Sequence, residues 1–435
     1  MKVLKFGTSA LSTSDKIKVV AKLASKTTNS IVIVSAIAGT TDKLEEISDY
    51  LYKKNPEGAI EGINILEKEY TEKIEELFSS ASAKEEAKTF VKEKINYIRS
   101  FTKDLFTLFE EKIILAQGEI LSSGLLTLLI KEQNSDVREI SALDFMQIDK
   151  KGEPDTTFIQ DNLNKILQAN KPDIYVTQGY ICRNAYGEID NFQFGGSDYS
   201  ASLIGAAVQA EEIQIWTDKD VMYGDNSQLI SNSHIVHQIN FDEAAELAYF
   251  GAKILHPMCI LPAKIANIPV RLLNIHSPED QGTVISNETE KGKIKAVAAK
   301  DGITTINIKS SRMLLAHGFL RKIGEIFEKH QTSIDMMTTS EVGVSVTIDN
   351  IQYLTEITDD LKRLGIVTVE KNMTIISVVG DLDQETDSPI SKVFEVLKSI
   401  PVKMVSFGGS NNNISFIIKS EQKEKTLQIL NKTIF

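Results

Sequence analysis

Five short apolar runs constrain the fold of this chain more than any other feature: KVLKF (2–6), IVIVSA (31–36), IYVTQGY (174–180), IQIWTD (213–218) and VRLL (270–273). They are β-branched and continuously apolar rather than alternating, the pattern of strands covered on both faces, and helical periodicity fills the intervals between them. The class is therefore α/β, an open and mostly parallel sheet sandwiched by helices. With 435 residues the chain is long for one core, and a prior of roughly 150 residues per domain predicts two or three domains.

Between Glu61 and Phe109 apolar residues recur at Ile63, Leu66, Tyr70, Ile74 and Leu77, then at Val91, Ile95, Ile98, Leu105 and Leu108. Spacings of three and four predict two one-sided helices, a helical subdomain over about 55–115 whose charged faces meet water. From Ser286 to Asp301 (SNETEKGKIKAVAAKD) the chain turns polar, and the expectation is a domain boundary there. Beyond it a pattern repeats. Strand TTINIKS, helix GFLRKIGEIFEKHQ and strands SIDMMTT and VGVSVTID are followed by strand TIISVVG, helix PISKVFEVLKS and strands VKMVSFG and NNISFII. These are two copies of a small βαββ unit.

Charge and cysteine content exclude several classes. A net charge of −12 opposes partners held by phosphate neutralisation, and no basic stripe with interleaved aromatics offsets it, so nucleic acid is not an expected partner. Cys182 and Cys259 are far apart and form no CxxC, which leaves neither a disulfide framework nor a zinc cluster. The opening MKVLKFG reads as a strand rather than a secretory signal, and apolar stretches such as IVIVSAIAG are too short to span a bilayer. A cytoplasmic location without membrane contact is expected.

Three glycine-containing strand ends carry the chemistry: KFGTSA (5–10), SAIAGTTD (35–42) and FGGSDYS (194–200). Sharp turns with unpaired N–H groups, followed by helix starts, suit anions because donors and helix dipole point the same way. Each alone reads as a plain strand-to-helix turn. AQGEILSS adds a carboxylate at Glu119, IWTD adds Asp218, and FGAKILHP adds Lys253 ahead of His256, which alone reads as a packed or helix-end histidine. Neither GxxxxGK[ST] nor GxGxxG occurs, so the Walker and dinucleotide loops do not explain the set.

Taken together, KFG, VSAIAGTTDKL, GE (118–119), TQGYI, GGSDYSASLIGAA, IWTDKDVMY, FDEAAELAYFGAKILHP and IPVRLLN resemble the aspartokinases of the amino-acid kinase family. GFLRKIGEIFEKHQTSIDMMTTSEVGVSVTID and VSFGGSNNNISFII resemble their paired ACT domains, TTSEVGVSVT most closely the lysine-sensitive type, so the resemblance covers essentially the whole chain. It implies an amino-acid kinase domain over 1–290 and tandem βαββαβ ACT domains over 301–435. The two would divide at about 301–370 and 371–435, with an interleaved arrangement left open. It also implies transfer of the ATP γ-phosphoryl group to the side-chain carboxylate of aspartate, Mg²⁺ carried with the nucleotide, feedback by lysine, and a homodimer or dimer of dimers through the ACT sheets. An ionised carboxylate needs no general base, so cations and backbone donors are the residues to seek.

By the same resemblance, Lys5 steadies the transferring phosphoryl oxygens, Asp198 orients Lys5, and Gly7, Gly195 and Gly196 admit backbone N–H groups beside them. Glu119 takes the substrate ammonium, and Thr41 and Ser197 complete the substrate side. Thr217, Asp218, Tyr223 and Lys253 match the nucleotide side. No protein metal ligand is implied. For the effector, His317, Gly318, Phe319 and Leu320 open a helix suited to a carboxylate. Asp335, Thr339, Ser340 and Glu341 face its amines, and Ser333 belongs to the same effector set.

The departures fall on the substrate side. IDNFQFGGSD replaces TTTLGRGGSD, putting Phe194 where an arginine holds the amino-acid carboxylate, and a phenyl ring cannot replace a guanidinium fork. KFGTSA replaces KFGGTS, and GDNSQ replaces ADPR, placing Gln228 at an arginine position. Losing a charge-assisted contact costs about 1.5–3 kcal/mol, so two such losses reduce turnover by powers of ten unless another cation, with Arg183 in YICRN as the candidate, takes over. The alternatives are an amino-acid sensor with an eroded kinase pocket, or a kinase for another amino acid with Phe194 as its selectivity element.

Overall fold

The computed structural model describes residues 1–103, 105–169, 171–192, 195–218, 236–250, 255–310, 317–382 and 389–434. The chain divides into two compact units, Met1–Val221 with Leu255–Asn287, and Met222–Ile254 with Glu288–Phe435.

The first unit begins with β1 (Lys2–Phe6), α1 (Ser14–Ser25), β2 (Ser30–Val34) and α2 (Thr40–Tyr52). Then come α3 (Pro56–Leu77), α4 (Ala81–Ser100), α5 (Leu108–Glu132), β3 (Val137–Glu139), α6 (Thr156–Ala169) and β4 (Ile174–Gln178). A hairpin of β5 (Ile181–Arg183) and β6 (Ile189–Asn191) leads into α7 (Gly196–Val208) and β7 (Glu212–Thr217). β8 (Gln238–Asn240) and α8 (Phe241–Tyr249) belong to the second unit; α9 (Pro257–Ile265), β9 (Val270–Asn274) and β10 (Thr283–Ser286) return to the first.

All five apolar runs are strands. Across the first unit the order is β3-β4-β2-β1-β7-β9-β10, parallel except for the β9–β10 pair. The chain therefore leaves β1 in opposite directions to β2 and to β7. Carboxyl ends of strands flanking such a switch point open a crevice in which ligands bind.

The predicted helix pair is α3 and α4, with Asn55 and Ser80 capping them through side-chain acceptors. Their apolar stripes join the core shared with β1, β2, α2 and α5, Tyr70 fully buried among them. Leu105 and Leu108 depart from the expectation: they lie beyond α4 and are exposed, because α4 stops at Ser100. α5 also departs from the reading that no stretch is long enough to span a bilayer. It is long and apolar enough, yet it is a core helix, with most of that stretch buried inside the protein. It starts with a capping box at Thr107 and Glu110.

The second unit continues with β11 (Ile294–Lys309), α10 (Phe319–Lys329), β12 (Met336–Thr339), β13 (Gly343–Ile348), α11 (Leu354–Lys362) and β14 (Ile366–Gly380). α12 (Pro389–Leu397), β15 (Met404–Phe407), β16 (Asn413–Lys419) and α13 (Lys423–Ile434) complete it. One six-stranded sheet, β12-β13-β11-β14-β16-β15, underlies both repeats. β11 and β14 run antiparallel through both, and the pairing is interrupted between Lys300 and Thr305. The C-terminal part of β11 belongs to the core with α10 and α11, and its N-terminal part to the core with α12 and α13. The two βαββ repeats are thus interleaved. The polar stretch read as a boundary becomes strand at Ile294, since Ala296, Val297 and Ala298 are buried between its charges.

Candidate active site

β1 brings Lys5 to the carboxyl edge of the sheet and ends at Phe6, and Gly7 leads into a 3-10 turn (Thr8–Leu11). Lys5 Nζ folds back so closely that a Cβ at position 7 would stand 2.9 Å from it. β2 ends at Val34, just ahead of Ser35, and Gly39, with φ +81°, turns the chain into α2, placing Thr40 and Thr41 on its first turn. Gly195 (φ +69°) and Gly196 (φ +50°) start α7 with backbone that other residues rarely adopt. A Cβ on Gly195 would also stand 2.0 Å from Cys259 Sγ on α9.

These ends enclose a cavity of about 310 Å³ lined by Lys5, Thr8, Ser35, Thr41, Glu119, Tyr180, Gly195, Gly196, Ser197 and Asp198. Lys5 Nζ is 2.6 Å from Asp198 Oδ1 on the first turn of α7. The hydroxyls of Ser35 and Ser197 share a hydrogen bond of 2.8 Å. Lys5 and the 195–196 turn, drawn from segments nearly 200 residues apart in sequence, meet on one side of the sheet.

Glu119 enters from α5 and is only 6% exposed. Its Oε1 accepts from the Ala36 N–H at 3.4 Å. Burial pushes its pKa up to about 7, the state of a carboxylate that awaits a cation. Tyr180 (φ +65°) donates its N–H to Ser200 Oγ at 2.9 Å. Burial, reinforced by the charges of Glu119, Glu45 and Asp190, lifts its phenol to about 12. Behind Glu119, Ser122 Oγ accepts from the Ile37 N–H at 2.8 Å, and Tyr70 Oη lies 2.9 Å from Thr40 Oγ1. Burial raises the Cys259 thiol to about 12, which leaves it a packing group.

The expected substrate-side residues Lys5, Thr41, Glu119, Gly195, Gly196, Ser197 and Asp198 line this cavity together, and Gly7 adjoins Lys5. Phe194 lies outside the described residues, as do Tyr223, Gln228 and Lys253. Thr217 and Asp218 sit at the carboxyl end of β7. Asp218 Oδ2 is 2.8 Å from Lys16 Nζ, and that bond holds its carboxyl below the ordinary range. The sequence motifs assign no role to Thr8, Ser35, Tyr180 or Lys16. The first three stand inside the motifs already singled out, where strand-end position was the available signal; Lys16 carried none, because its contact to Asp218 is long-range.

Arg183 does not replace the missing cation: its Nε donates to Leu143 O at 2.9 Å and its Nη1 to Gly187 O at 2.5 Å, fastening the hairpin. Nor are the effector residues gathered at one point. Gly318 (φ +79°) turns the chain into α10, with His317 before it and Phe319 and Leu320 on its first turn. The Ser310 N–H donates to Val342 O at 3.0 Å, so the Thr339–Glu341 turn adjoins this end of β11. Ser333 precedes β12. Asp335 lies at the opposite end of β12, where Lys300 Nζ approaches its Oδ1 at 2.7 Å and Asp349 Oδ2 at 2.9 Å. Within this chain Asp335 is paired with Lys300 through Oδ1, and its Oδ2 is buried without a hydrogen-bond partner.

Residues 1–274 match the model of the amino acid kinase family, and residues 376–434 match an ACT domain. Lysine-sensitive aspartokinase 3 of Escherichia coli (strain K12) is 30% identical over 74% of this chain and 75% of its own length. The crystal structure of E. coli aspartokinase III with aspartate and ADP has 27% identity and a TM-score of 0.78, with full coverage of both chains. Its complex with lysine and aspartate superposes at a TM-score of 0.83 with 27% identity, over 100% of this chain and 99% of that one.

Proposed function

The chain belongs to the amino acid kinase family and, within it, to the aspartokinases, and from that premise we propose that the cavity accepts L-aspartate and phosphorylates its side-chain carboxylate from ATP under feedback control by lysine. The observation that carries the reading is the meeting of Lys5, paired with Asp198, the 195–196 glycine turn and the uncompensated Glu119 around one cavity.

In the reaction a side-chain carboxylate oxygen of aspartate attacks the γ-phosphorus, the bond to the β,γ-bridging oxygen breaks, and ADP leaves with that electron pair. The nucleophile is already ionised, so no proton has to move and rate comes from positioning and charge. Lys5 would meet the negative oxygens of the moving phosphoryl group, with Asp198 fixing the direction of its ammonium. Gly7 and the 195–196 turn leave room for phosphate against backbone N–H groups, and the dipole of α7 favours the same charge. Glu119 would take the substrate ammonium, and the incoming cation would hold it ionised.

Mg²⁺ fits as a passenger of the nucleotide. Among the described residues no group of three or more His, Cys, Asp or Glu side chains is placed to hold a metal, and Asp198 and Asp218 are each committed to a lysine. Bound to the phosphates, the ion would neutralise charge developing on the leaving oxygen. The ACT sheet supports amino-acid control and self-association, and we expect dimers formed through it. The buried free thiols of Cys182 and Cys259 accord with a reducing, cytoplasmic setting.

The test is hydroxylamine trapping of the acyl phosphate with MgATP and a panel of amino acids, with and without lysine. Hydroxamate from L-aspartate, suppressed by lysine, is the expected result. No product from aspartate, with lysine still binding, would replace this reading by the sensor; product from another amino acid alone would replace it by an altered kinase.

A further inference from the structure

Aspartate brings three charged groups into the cavity, and the reading above assigns only two. Its side-chain carboxylate goes to the phosphoryl end beside Lys5 and its ammonium to Glu119, which leaves the α-carboxylate. Among the described residues lining the cavity Lys5 is the only cation, and Arg183 is occupied in its own hairpin. An anion placed near Glu119 without a counter-ion would be held poorly.

A second cation stands on the same helix as Glu119. Lys112 lies two turns earlier on α5, so both side chains leave the same face, with a rise of roughly 10 Å between them. Its Nζ is 2.7 Å from Asp190 Oδ1 on β6. Asp190 pairs with Cys182 on β5, and the next rung toward the cavity joins Phe192 to Tyr180, N–H to O at 3.0 Å. The Lys112–Asp190 pair therefore sits one rung from Tyr180, which lines the cavity. The Tyr180 phenol responds to the charges of both Glu119 and Asp190, as this order requires.

The pair is not sealed: the Lys112 and Asp190 side chains are 27% and 15% exposed. An ammonium carries three donors, and Asp190 Oδ1 engages the ammonium through one contact. Resting on the aspartate-kinase reading, we propose that Lys112, positioned by Asp190, binds the α-carboxylate of the amino-acid substrate and selects for an α-amino dicarboxylate. It thereby supplies the charge that Phe194 cannot.

The discriminating probe is β-alanine, which has the ammonium and the phosphorylatable carboxylate of aspartate but no α-carboxylate. Full-length wild type, Lys112→Met and Lys112→Arg are compared in the hydroxamate assay. Lys112→Met is expected to lower kcat/KM for aspartate about 10- to 100-fold, chiefly through KM, as loss of one charge-assisted contact does. The value for β-alanine and the KM for MgATP stay unchanged, and Lys112→Arg retains most of the selectivity. If β-alanine is turned over too slowly to measure, its inhibition constant against aspartate replaces its kcat/KM. Equal losses for both ligands, or no loss for aspartate, would overturn the proposal. Should the wild type make no hydroxamate from aspartate, the kinase reading fails separately, and calorimetric binding of the two ligands still decides the role of Lys112. Discrimination lost in Lys112→Met supports it; discrimination retained refutes it.

Discussion

Glu119→Gln should make the ligand-free protein more stable at alkaline pH while abolishing its use of aspartate. Burial raises the Glu119 pKa from 4.5 to about 7. Between those values the native protein keeps a proton that the unfolded chain has released, so native stability falls as pH rises through the window, and above pH 7 the whole effect is felt. A shift of about 2.5 units at 1.36 kcal/mol each is about 3 kcal/mol at pH 8, and under about 1 kcal/mol at pH 5. Glutamine keeps the shape and removes the charge. Thermal unfolding of the variant at pH 8 should then rise by roughly 6–12 °C, for about 2–4 °C per kcal/mol in a unit of this size, and by at most about 2–4 °C at pH 5. Aspartate binding should be lost, and in the wild type it should release a fraction of a proton near pH 7, read from calorimetry in buffers of different ionisation enthalpy. An equal gain at both pH values, or a loss at pH 8, would refute the argument that an uncompensated charge is stored at this position.

Three further substitutions probe the surrounding structure. Gly195→Ala forces a Cβ to 2.0 Å from Cys259 Sγ at a φ of +69°; activity should fall at least 100-fold in the hydroxamate assay, and Cys259→Ala in the same chain should restore little, because the backbone strain remains. Tyr70→Phe removes the hydroxyl 2.9 Å from Thr40 Oγ1, so stability should drop by about 1 kcal/mol and KM for aspartate should rise several-fold with KM for MgATP unchanged. Lys300→Met leaves Asp335, whose side chain is 2% exposed, without its cation; local stability should fall by about 3–5 kcal/mol, seen as faster hydrogen exchange in β12 and β13, and wild-type exchange there would contradict the assignment.

The sequence was most informative where chemistry depends on strand ends. Lys5 sits at the end of the first apolar run and reaches the carboxyl edge once the runs form one parallel sheet, whereas the 195–196 glycines and Asp198 follow the separate β5–β6 hairpin and open α7. It was least informative where charges serve distant partners. In SNETEKGKIKAVAAKD the lysines and acids read as a polar domain boundary, yet Lys295 pairs with Glu290, Lys300 with Asp335 and Asp349, and Asp301 with Lys423. Nothing local marks such a stretch as the long strand β11. Residues 236–250 posed the same difficulty: Glu246 Oε2 accepts from Asn413 at 3.0 Å and Tyr249 Oη donates to Asp335 at 3.3 Å, contacts that assign the segment to the second unit.

The interleaving of the ACT repeats has a mechanical consequence. Because β11 and β14 cross both repeats, neither repeat can turn as a rigid body without bending strands that also carry the other. The place of least resistance is the irregular register between Lys300 and Thr305, where Gly302 takes a φ of +77° and ladder hydrogen bonds are interrupted. Lys300 stands at that break, bound to Asp335 and Asp349 of the first repeat and lying 4.9 Å from the centre of the Tyr249 ring on α8. A change of angle between the repeats must therefore strain this cluster or release it, which makes the charge at position 300 the point where bending of the sheet and the seating of α8 are coupled.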